Sequence, residues 1–275
     1  MEQGTASRTA LGAAVLRGVH RLRDDPPWIL DDPFALLLVG PEWRGIDERQ
    51  AEFSSFIRGP VLIRSRFAED RLFAGDFTQY AILGAGLDTF AWRHPERLRA
   101  MSLFEVDHPD TQSWKQSRAA ELGLPEFDRH VYVPTDFERH TLLADLEAYG
   151  FDRTQPSFFS WLGVITYLTR DAIEHTLRQL SGLGPKCEIA MHYTQRGIPR
   201  PKAASVLSDR VSQAGEPLLS AFEPAEFEAL VTDCGMKVVD HPSHDELHAR
   251  YLDGRTDDLG LGAARLLVAA CATAG

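Results

Sequence analysis

Residues 79–89 of this chain read QYAILGAGLDT, and the helix-compatible residues FAWR follow at 90–93. A short apolar run that enters a two-glycine turn and then a helix is typical of a nucleotide-type cofactor site, because glycine lets a ligand approach the backbone closely. The third glycine of a dinucleotide fingerprint is replaced by Thr89. The turn therefore favours a nucleoside cofactor without a pyrophosphate over NAD, with an ordinary strand–turn–helix as the alternative.

A second apolar segment, SLFEVD at 102–107, supports a cofactor site. It ends in Asp107, about twenty residues beyond the glycines. A carboxylate at the tip of the second strand accepts hydrogen bonds from ribose hydroxyls. The turn and the acidic strand end together predict that a nucleoside lies across the first two strands.

Six sequence blocks, taken together, resemble a known family. They are GAGLDTFAWR at 84–93, FEVDHP at 104–109, SRTA at 7–10, IRSRF at 63–67, PTDF at 134–137 and SWLGVITYL at 160–168. Their content and order resemble the leucine carboxyl methyltransferase family of S-adenosylmethionine-dependent enzymes. Within it, the chain is most similar to the bacterial branch that methylates natural products. The resemblance implies a Rossmann-like fold and S-adenosylmethionine as the cofactor.

Strand ends supply the candidate cofactor-binding residues, because ligands of open α/β sheets bind beyond the carboxyl ends of the strands. Gly84 and Gly86 would let the backbone lie against the amino-acid part of the cofactor, and Asp107 would hold its ribose. Asp136 would accept a hydrogen bond from the adenine amino group, with Phe137 packed on the base. The resemblance implies these same roles, while a helix N-cap is the structural alternative for Asp136.

The resemblance also assigns Arg64 to the methionine carboxylate, which a guanidinium binds in bidentate geometry. Arg8 of the first helix is expected to assist it. A solvated helix face is the structural alternative for Arg64 and Arg66. The remaining predicted cofactor-binding residues are Ala85, Asp88, Glu105, Trp161 and Leu162.

One position departs from the family pattern. Many relatives carry a glutamate early in the fourth-strand block, and the matching position here is Leu162. The missing carboxylate either loosens cofactor binding or is compensated by Glu105. It also leaves open a protein of the same fold that binds the cofactor and catalyses a reaction other than methyl transfer, such as a cyclisation.

Candidate catalytic residues are His192 and Tyr193, near the end of the fifth predicted strand. An imidazole over the acceptor pocket would act as a general base for a phenol, whose pKa is near 10. A carboxylate acceptor, with a pKa of about 4, needs no base. A structural role is the alternative for His192, and a place in the pocket wall or the core is the alternative for Tyr193.

We therefore expect an O-methyltransferase that acts on a carboxylate, or a hydroxyl, of a small natural product. Methylation of a protein C-terminal carboxylate is the alternative acceptor. The stretch SWLGV at 160–164 lacks the G-x-S-x-G nucleophile elbow, so a hydrolase has little support.

Composition limits the partners. The 275 residues are 44% hydrophobic and 25% charged, and their net charge of −11 does not supply the basic footprint that nucleic-acid binding requires. No secretory leader or long apolar run is apparent, and the cysteines Cys187, Cys234 and Cys271 are widely spaced. We predict a cytoplasmic protein with a small-molecule acceptor and no nucleic-acid or membrane partner. The sequence does not predict an oligomeric state.

Three histidines, His241, His244 and His248, have spacings that zinc sites also use. The segment contains no cysteine partner and follows Pro242 and Ser243. We therefore predict a solvated polar connection there and no metal site.

Alternating strand-like and helix-like segments predict one α/β domain with a mostly parallel, seven-stranded sheet of the class I methyltransferase type and helices on both faces. Predicted strands are 79–84, 102–107, 130–134, 157–163, 187–193, 236–240 and 265–271. Predicted helices begin near Ser7 or Thr9 and at Asp31, and then cover 61–74, 88–93, 109–121, 138–148, 170–182 and 223–234. Residues 1–60 and the insertion 194–222 are expected to form a helical lid on a core of 61–193 and 223–275.

Overall fold

The computed structural model describes residues 7–50, 54–137, 141–183, 186–198 and 217–271. Its centre is a seven-stranded sheet with the order β3-β2-β1-β4-β5-β7-β6. The strands are β1 (Gln79–Leu83), β2 (Ser102–Asp107), β3 (His130–Pro134), β4 (Ser157–Trp161), β5 (Cys187–Thr194), β6 (Met236–Asp240) and β7 (Ala264–Cys271). Each predicted strand is confirmed to within about two residues at either end.

The topology places a switch point beside β1. The first five strands are parallel, and β1 lies between β2 and β4, so the chain turns in opposite directions on its two sides. β7 is antiparallel to both β5 and β6. The predicted mostly parallel sheet is therefore confirmed. The ends of β1 to β5 form one carboxyl edge, where a ligand site is expected.

Ten α-helices surround the sheet in the described ranges. They are α1 (Arg8–Arg23), α2 (Ala35–Val39), α3 (Trp43–Gln50), α4 (Ser54–Ala74), α5 (Phe90–Arg93), α6 (Pro109–Glu121), α7 (Leu142–Ala148), α8 (Arg170–Ser181), α9 (Pro224–Asp233) and α10 (His244–Tyr251). Among them, none combines the length and the apolar character that crossing a bilayer would need.

Local signals explain several helix ends. The Ser7 hydroxyl accepts a hydrogen bond from the Ala10 N–H at 3.3 Å, which confirms it as the N-cap of α1. Pro224 occupies the first turn of α9, where a missing N–H costs nothing. Gly182 follows the last residue of α8, as predicted. Part of the predicted helix 138–148 and most of the insertion 194–222 lie outside the described residues.

Three predictions about helices were wrong. α3 was not expected at all. α4 begins seven residues before the predicted start at Val61 and continues through Pro60, although proline usually interrupts a helix because it lacks an N–H. The segment after Pro242, predicted as a polar connection, forms α10, because Ser243 and Glu246 make a reciprocal capping box.

Each face of the sheet is covered by its own apolar layer. Side chains of α7, α8 and α9 pack on one face and form a cluster that includes Leu143, Ile173 and Phe227. Side chains of α4, α5 and α10 pack on the other, with Ile63 and Phe90 in its centre. A third cluster joins α1 and α2 to α6. The first two layers hold the strands rigidly, which fixes the carboxyl edge.

Candidate functional site

The glycine turn, residues 84–89, connects β1 to α5 at the switch point. Gly84 and Gly86 have positive φ angles of 73° and 51°, which side chains rarely tolerate. A Cβ on Gly84 would lie 2.2 Å from Cγ2 of Val164. The N–H groups of Gly84 and Ala85 donate to the Val106 carbonyl at 2.8 and 3.1 Å. The backbone conformation and the contact with Val164 therefore both favour glycine at position 84, and the positive φ angle favours it at position 86.

Asp107 ends β2 beside this turn. Its carboxylate accepts hydrogen bonds from the N–H groups of Gly86 and, at 2.6 Å, of His108. Burial raises the pKa of Asp107, and the two backbone donors partly oppose that shift. The structure thus fixes a carboxylate against the glycine turn, in the place predicted for a ribose ligand.

α1 lies across the same turn. A Cβ on Gly86 would be 3.1 Å from Cβ of Ala10. Two helical turns later, the guanidinium of buried Arg17 donates to the Leu87 carbonyl at 2.5 Å and to Asp32 at 2.9 Å. The sequence analysis missed Arg17, because no local pattern shows that a helix arginine will contact a turn seventy residues away. Arg8 is exposed in the first turn of α1.

Arg64 reaches the carboxyl edge from α4. Its guanidinium packs on Gly163, where a Cβ would lie 2.4–2.7 Å from guanidinium atoms. Within the described ranges it makes no hydrogen bond or ion pair. Burial lowers its pKa to about 10, with the Arg17 charge adding to the shift and Tyr167 and Asp88 opposing it. Arg64 is therefore a charged group that the described protein leaves without a partner.

Asp88 has a role within the protein. Its Oδ1 accepts the Phe90 N–H at 2.7 Å and lies 3.9 Å from the Arg93 guanidinium. Arg93 itself forms a buried bidentate pair with Glu69 at 2.6 and 3.1 Å. Asp88 thus stabilises the start of α5 while it faces the turn.

The segment that follows β3 contacts the end of β4 through two aromatic rings. The rings of Phe137 and Trp161 lie 6.3 Å apart at an interplanar angle of 27°. Trp161 is fully buried, whereas Asp136 is exposed and Leu162 is half-buried on the α4 side of the sheet. Phe137 and Trp161 therefore pack together at the carboxyl edge, with Asp136 exposed beside Phe137.

The two candidate catalytic residues point to opposite faces of β5. His192 lies on the α4 face and is 7% exposed, and burial together with the Arg64 charge lowers its pKa to about 3. Tyr193 stacks on Phe227 of α9 with ring centroids 4.1 Å apart. Its hydroxyl lies 2.8 Å from Nε2 of His241, and burial raises its pKa to about 12. The structure brings His192 to Arg64 and places Tyr193 in the core.

Glu105 binds other residues of the protein beneath α6. Its carboxylate binds Lys115 Nζ and lies 3.0 Å from Nε2 of His130. Burial alone would raise its pKa, but the interactions with Lys115 and His130 outweigh burial and hold the pKa at about 2. Because β1 separates β2 from β4 in the sheet, this carboxylate does not replace the acid that Leu162 lacks.

Two of the three histidines with zinc-like spacing contact other groups of the protein. His241 Nδ1 lies 2.9 Å from Glu228, and His244 Nε2 lies 2.9 Å from the Ala264 carbonyl. Over the residues that the structure describes, no group of three metal-ligating side chains is close enough to hold an ion.

Ten buried polar side-chain atoms make no hydrogen bond among the residues that the structure describes, and three of them are at the carboxyl edge. Within the described ranges, Oγ1 of Thr135, Nε1 of Trp161 and Nδ1 of His192 are buried and make no hydrogen bond. They follow or end β3, β4 and β5 in turn. Proteins normally satisfy such atoms, so each of the three is open to a contact with a ligand or solvent at this edge.

A separate cavity of about 420 Å³ opens between residues 25–29, α4 and residues 250–257. It contains none of the predicted site residues. Its arginines are neutralised by neighbours, Arg66 by Asp70 and Arg255 by Asp257. The carboxyl edge, with its unpaired groups, is therefore the better candidate site.

Known proteins support the same interpretation. The model of the leucine carboxyl methyltransferase family matches residues 10–181, well over half of the chain. YktD of Bacillus subtilis strain 168, provisionally named an S-adenosyl-L-methionine-dependent methyltransferase, is 30% identical, with 94% of this chain and 95% of that protein covered. A similarly named protein of Mycobacterium marinum is 29% identical over 74% of this chain and 70% of its own length.

Solved structures show the fold. A DUF574 family protein from Streptomyces avermitilis has a TM-score of 0.67 at 17% identity, covering 97% of this chain and 98% of its own. A provisionally named methyltransferase from Thermobifida fusca has a TM-score of 0.64 at 15% identity, covering 98% and 96%. The sheet is therefore that of the class I methyltransferases, and the chain belongs to the leucine carboxyl methyltransferase family, whose cofactor is S-adenosylmethionine.

Proposed function

We propose that this protein is an O-methyltransferase that transfers the methyl group of S-adenosylmethionine to a carboxylate, or a hydroxyl, of a small natural product. The observation that carries the proposal is the guanidinium of Arg64 at the carboxyl edge, which makes no hydrogen bond or ion pair with the described part of the chain. An anion is expected beside a partly buried cation that lacks a counter-charge, and the amino-acid carboxylate of the cofactor supplies one. The partner-free atoms at the ends of β3 to β5 support a polar ligand there.

We infer that the residues of the site hold the cofactor along its whole length. Arg64 would bind the amino-acid carboxylate, the glycine turn would accommodate the chain beside it, and Asp107 would hold the ribose. Asp136 and Phe137 would contact the adenine. The contacts of α1 with the glycine turn support the N-terminal helices as a cover over this end of the site.

When bound, S-adenosylmethionine supplies a methyl group that is already activated on a sulfonium centre. The residues of the chain then have to align the acceptor and exclude water. Alignment of reacting groups lowers a barrier by roughly 7–11 kcal/mol.

The environment of His192 supports a carboxylate acceptor. An imidazole with a pKa of about 3 is a weak base for a phenol, whose pKa is near 10. Proton transfer from such a phenol to an imidazole whose pKa is lowered this far is strongly unfavourable. A carboxylate arrives ionised and needs no such transfer.

A panel of matched acceptors tests the proposal. The protein is incubated with S-adenosylmethionine and with aromatic and aliphatic carboxylic acids, their amides, phenols, and a peptide with a free C-terminal carboxylate. We expect S-adenosylhomocysteine and a methyl ester to form with small carboxylic acids and not with their amides. Turnover of phenols alone would contradict the carboxylate class. Tight cofactor binding with no methylated product from any acceptor would favour the non-methyl alternative that Leu162 raises.

Replacement of Asp107 tests the ribose contact. We expect Asp107→Ala to weaken S-adenosylhomocysteine binding by roughly 10- to 100-fold, because hydrogen bonds to a charged group contribute about 1.5–3 kcal/mol. Isothermal titration calorimetry measures the loss. Asp107→Asn keeps one acceptor oxygen and should fall between Asp107→Ala and wild type. Unchanged affinity in both variants would remove Asp107 from the cofactor site.

A further inference from the structure

His192 and Arg64 form a pair of neighbours with no common partner. Position 192 lies on the same face of β5 as Ala190, which packs in the layer that contains Ile63 of α4. The Arg64 guanidinium packs on Gly163, directly after Leu162, and Leu162 continues β4 beside His192. Among the described residues, Nδ1 of His192 makes no hydrogen bond and Arg64 makes neither a hydrogen bond nor an ion pair. Burial of each group without a partner therefore costs free energy in the ligand-free protein.

Among the residues that the structure describes, no carboxylate forms an ion pair with Arg64 or a hydrogen bond with Nδ1 of His192. β4 is parallel to β5, with Trp161 opposite Met191, so Leu162 comes next beside His192 and is apolar. Asp88 acts on Arg64 from a distance, but its oxygens serve the start of α5. A carboxylate placed between the guanidinium and the imidazole would satisfy both, because each donates an N–H to an oxygen.

We propose that His192 is a second ligand of the anion that Arg64 binds, so that it holds the amino-acid carboxylate of the cofactor instead of acting as a base on the acceptor. This inference rests on the proposed cofactor geometry. Arg64 lies near the glycine turn, where the amino-acid end of the cofactor is expected. Arg17 and Asp88 both influence the pKa of Arg64. Arg17 contacts the glycine turn, and Asp88 contacts the helix that follows the turn. The acceptor, in contrast, has to approach the sulfonium.

Two cofactor analogues separate this role from others. S-adenosylhomocysteine carries the amino-acid carboxylate, and 5′-methylthioadenosine has the same nucleoside without it. We expect His192→Leu to weaken S-adenosylhomocysteine binding roughly tenfold in calorimetry, as for a lost hydrogen bond to a charged group, and to leave 5′-methylthioadenosine affinity unchanged. Because the Asn amide nitrogen occupies the place of Nδ1, His192→Asn should restore S-adenosylhomocysteine affinity to within about threefold of wild type.

His241→Asn is the matched control, because it makes the same exchange at a histidine that contacts Tyr193 on the opposite face of the sheet. It should leave both affinities unchanged.

Equal losses for the two analogues in His192→Leu would overturn the proposal and indicate a general distortion. Unchanged S-adenosylhomocysteine affinity with a raised KM for the acceptor would also overturn it, in favour of an acceptor contact. If the wild-type protein bound 5′-methylthioadenosine and S-adenosylhomocysteine equally well, the carboxylate subsite itself would fail. Wild-type protein that bound neither would refute the proposed function.

Discussion

Arg64→Met should lower the affinity for S-adenosylhomocysteine by roughly 100-fold without destabilising the free protein. The loss follows from removal of a charge-assisted bidentate contact, which contributes about 1.5–3 kcal/mol. Each 1.4 kcal/mol corresponds to about a tenfold change in the dissociation constant. The free protein is expected to tolerate the change, because burial lowers the pKa of Arg64 to about 10. A cation whose folded-state pKa is lowered costs stability at neutral pH. Methionine keeps the apolar stem and removes that cost.

Thermal unfolding with and without S-adenosylhomocysteine measures both effects. The variant should unfold at the wild-type temperature or above it when free, and should lose most of the ligand-induced increase. Arg66→Met is the matched control two residues further along α4, because Arg66 is exposed and pairs with Asp70 at 2.7 Å. It should keep wild-type affinity. If S-adenosylhomocysteine raised the unfolding temperature of Arg64→Met as much as that of the wild type, another residue would have to bind the anion.

The strands could be located from the sequence because each apolar run is bounded by residues that stop it. β1 ends at Gly84, and β2 ends at Asp107 before a proline. The antiparallel insertion of β7 between β5 and β6 has no local signal, because it is decided by which edges remain unpaired after the parallel strands assemble. The capping box of α10 was readable from Ser243 and Glu246 and was overlooked.

The candidate site was predictable in its backbone parts and less so in its side chains. The glycine turn and Asp107 follow from spacing along the chain. His192 and Tyr193 are consecutive in a strand, so period-two alternation sends them to opposite faces, and both could not line one pocket. The contact of Arg17 with Leu87 depends on how α1 docks on the sheet. Docking of this kind is tertiary and leaves no pattern in either segment.

Lys115→Met should produce the largest loss of stability. Lys115 and Glu105 are each 1% exposed and bind each other, with the ammonium 5.4 Å from the Trp92 ring centroid. Lys115→Met leaves His130, 3.0 Å away, as the remaining partner of the buried Glu105 carboxylate, and removal of one member of a buried ion pair costs about 3–5 kcal/mol. Urea denaturation at pH 7 measures the decrease in the free energy of unfolding. Glu105→Gln combined with Lys115→Met should recover much of it, because no buried carboxylate remains.

The pH dependence gives an independent check. The folded protein holds the pKa of Glu105 at about 2, below the ordinary 4.5. The folded state therefore binds this proton less tightly than the unfolded chain, and the pair stabilises the protein fully above about pH 4.5 and progressively less as the pH falls toward 2. The deficit of Lys115→Met should accordingly shrink between pH 7 and pH 3. A deficit that stays constant over this range would mean that packing of the lysine stem, and not its charge, stabilises β2.

The same double variant decides whether Glu105 contacts the cofactor. Its carboxylate is turned toward Lys115 and His130 under α6, while Asp107, two residues later, meets the glycine turn. We therefore expect S-adenosylhomocysteine affinity in Glu105→Gln with Lys115→Met to stay within about threefold of wild type, because a structural pair contributes to stability and not to the ligand contact. A loss of tenfold or more, in a variant whose stability has recovered, would restore Glu105 to the cofactor site.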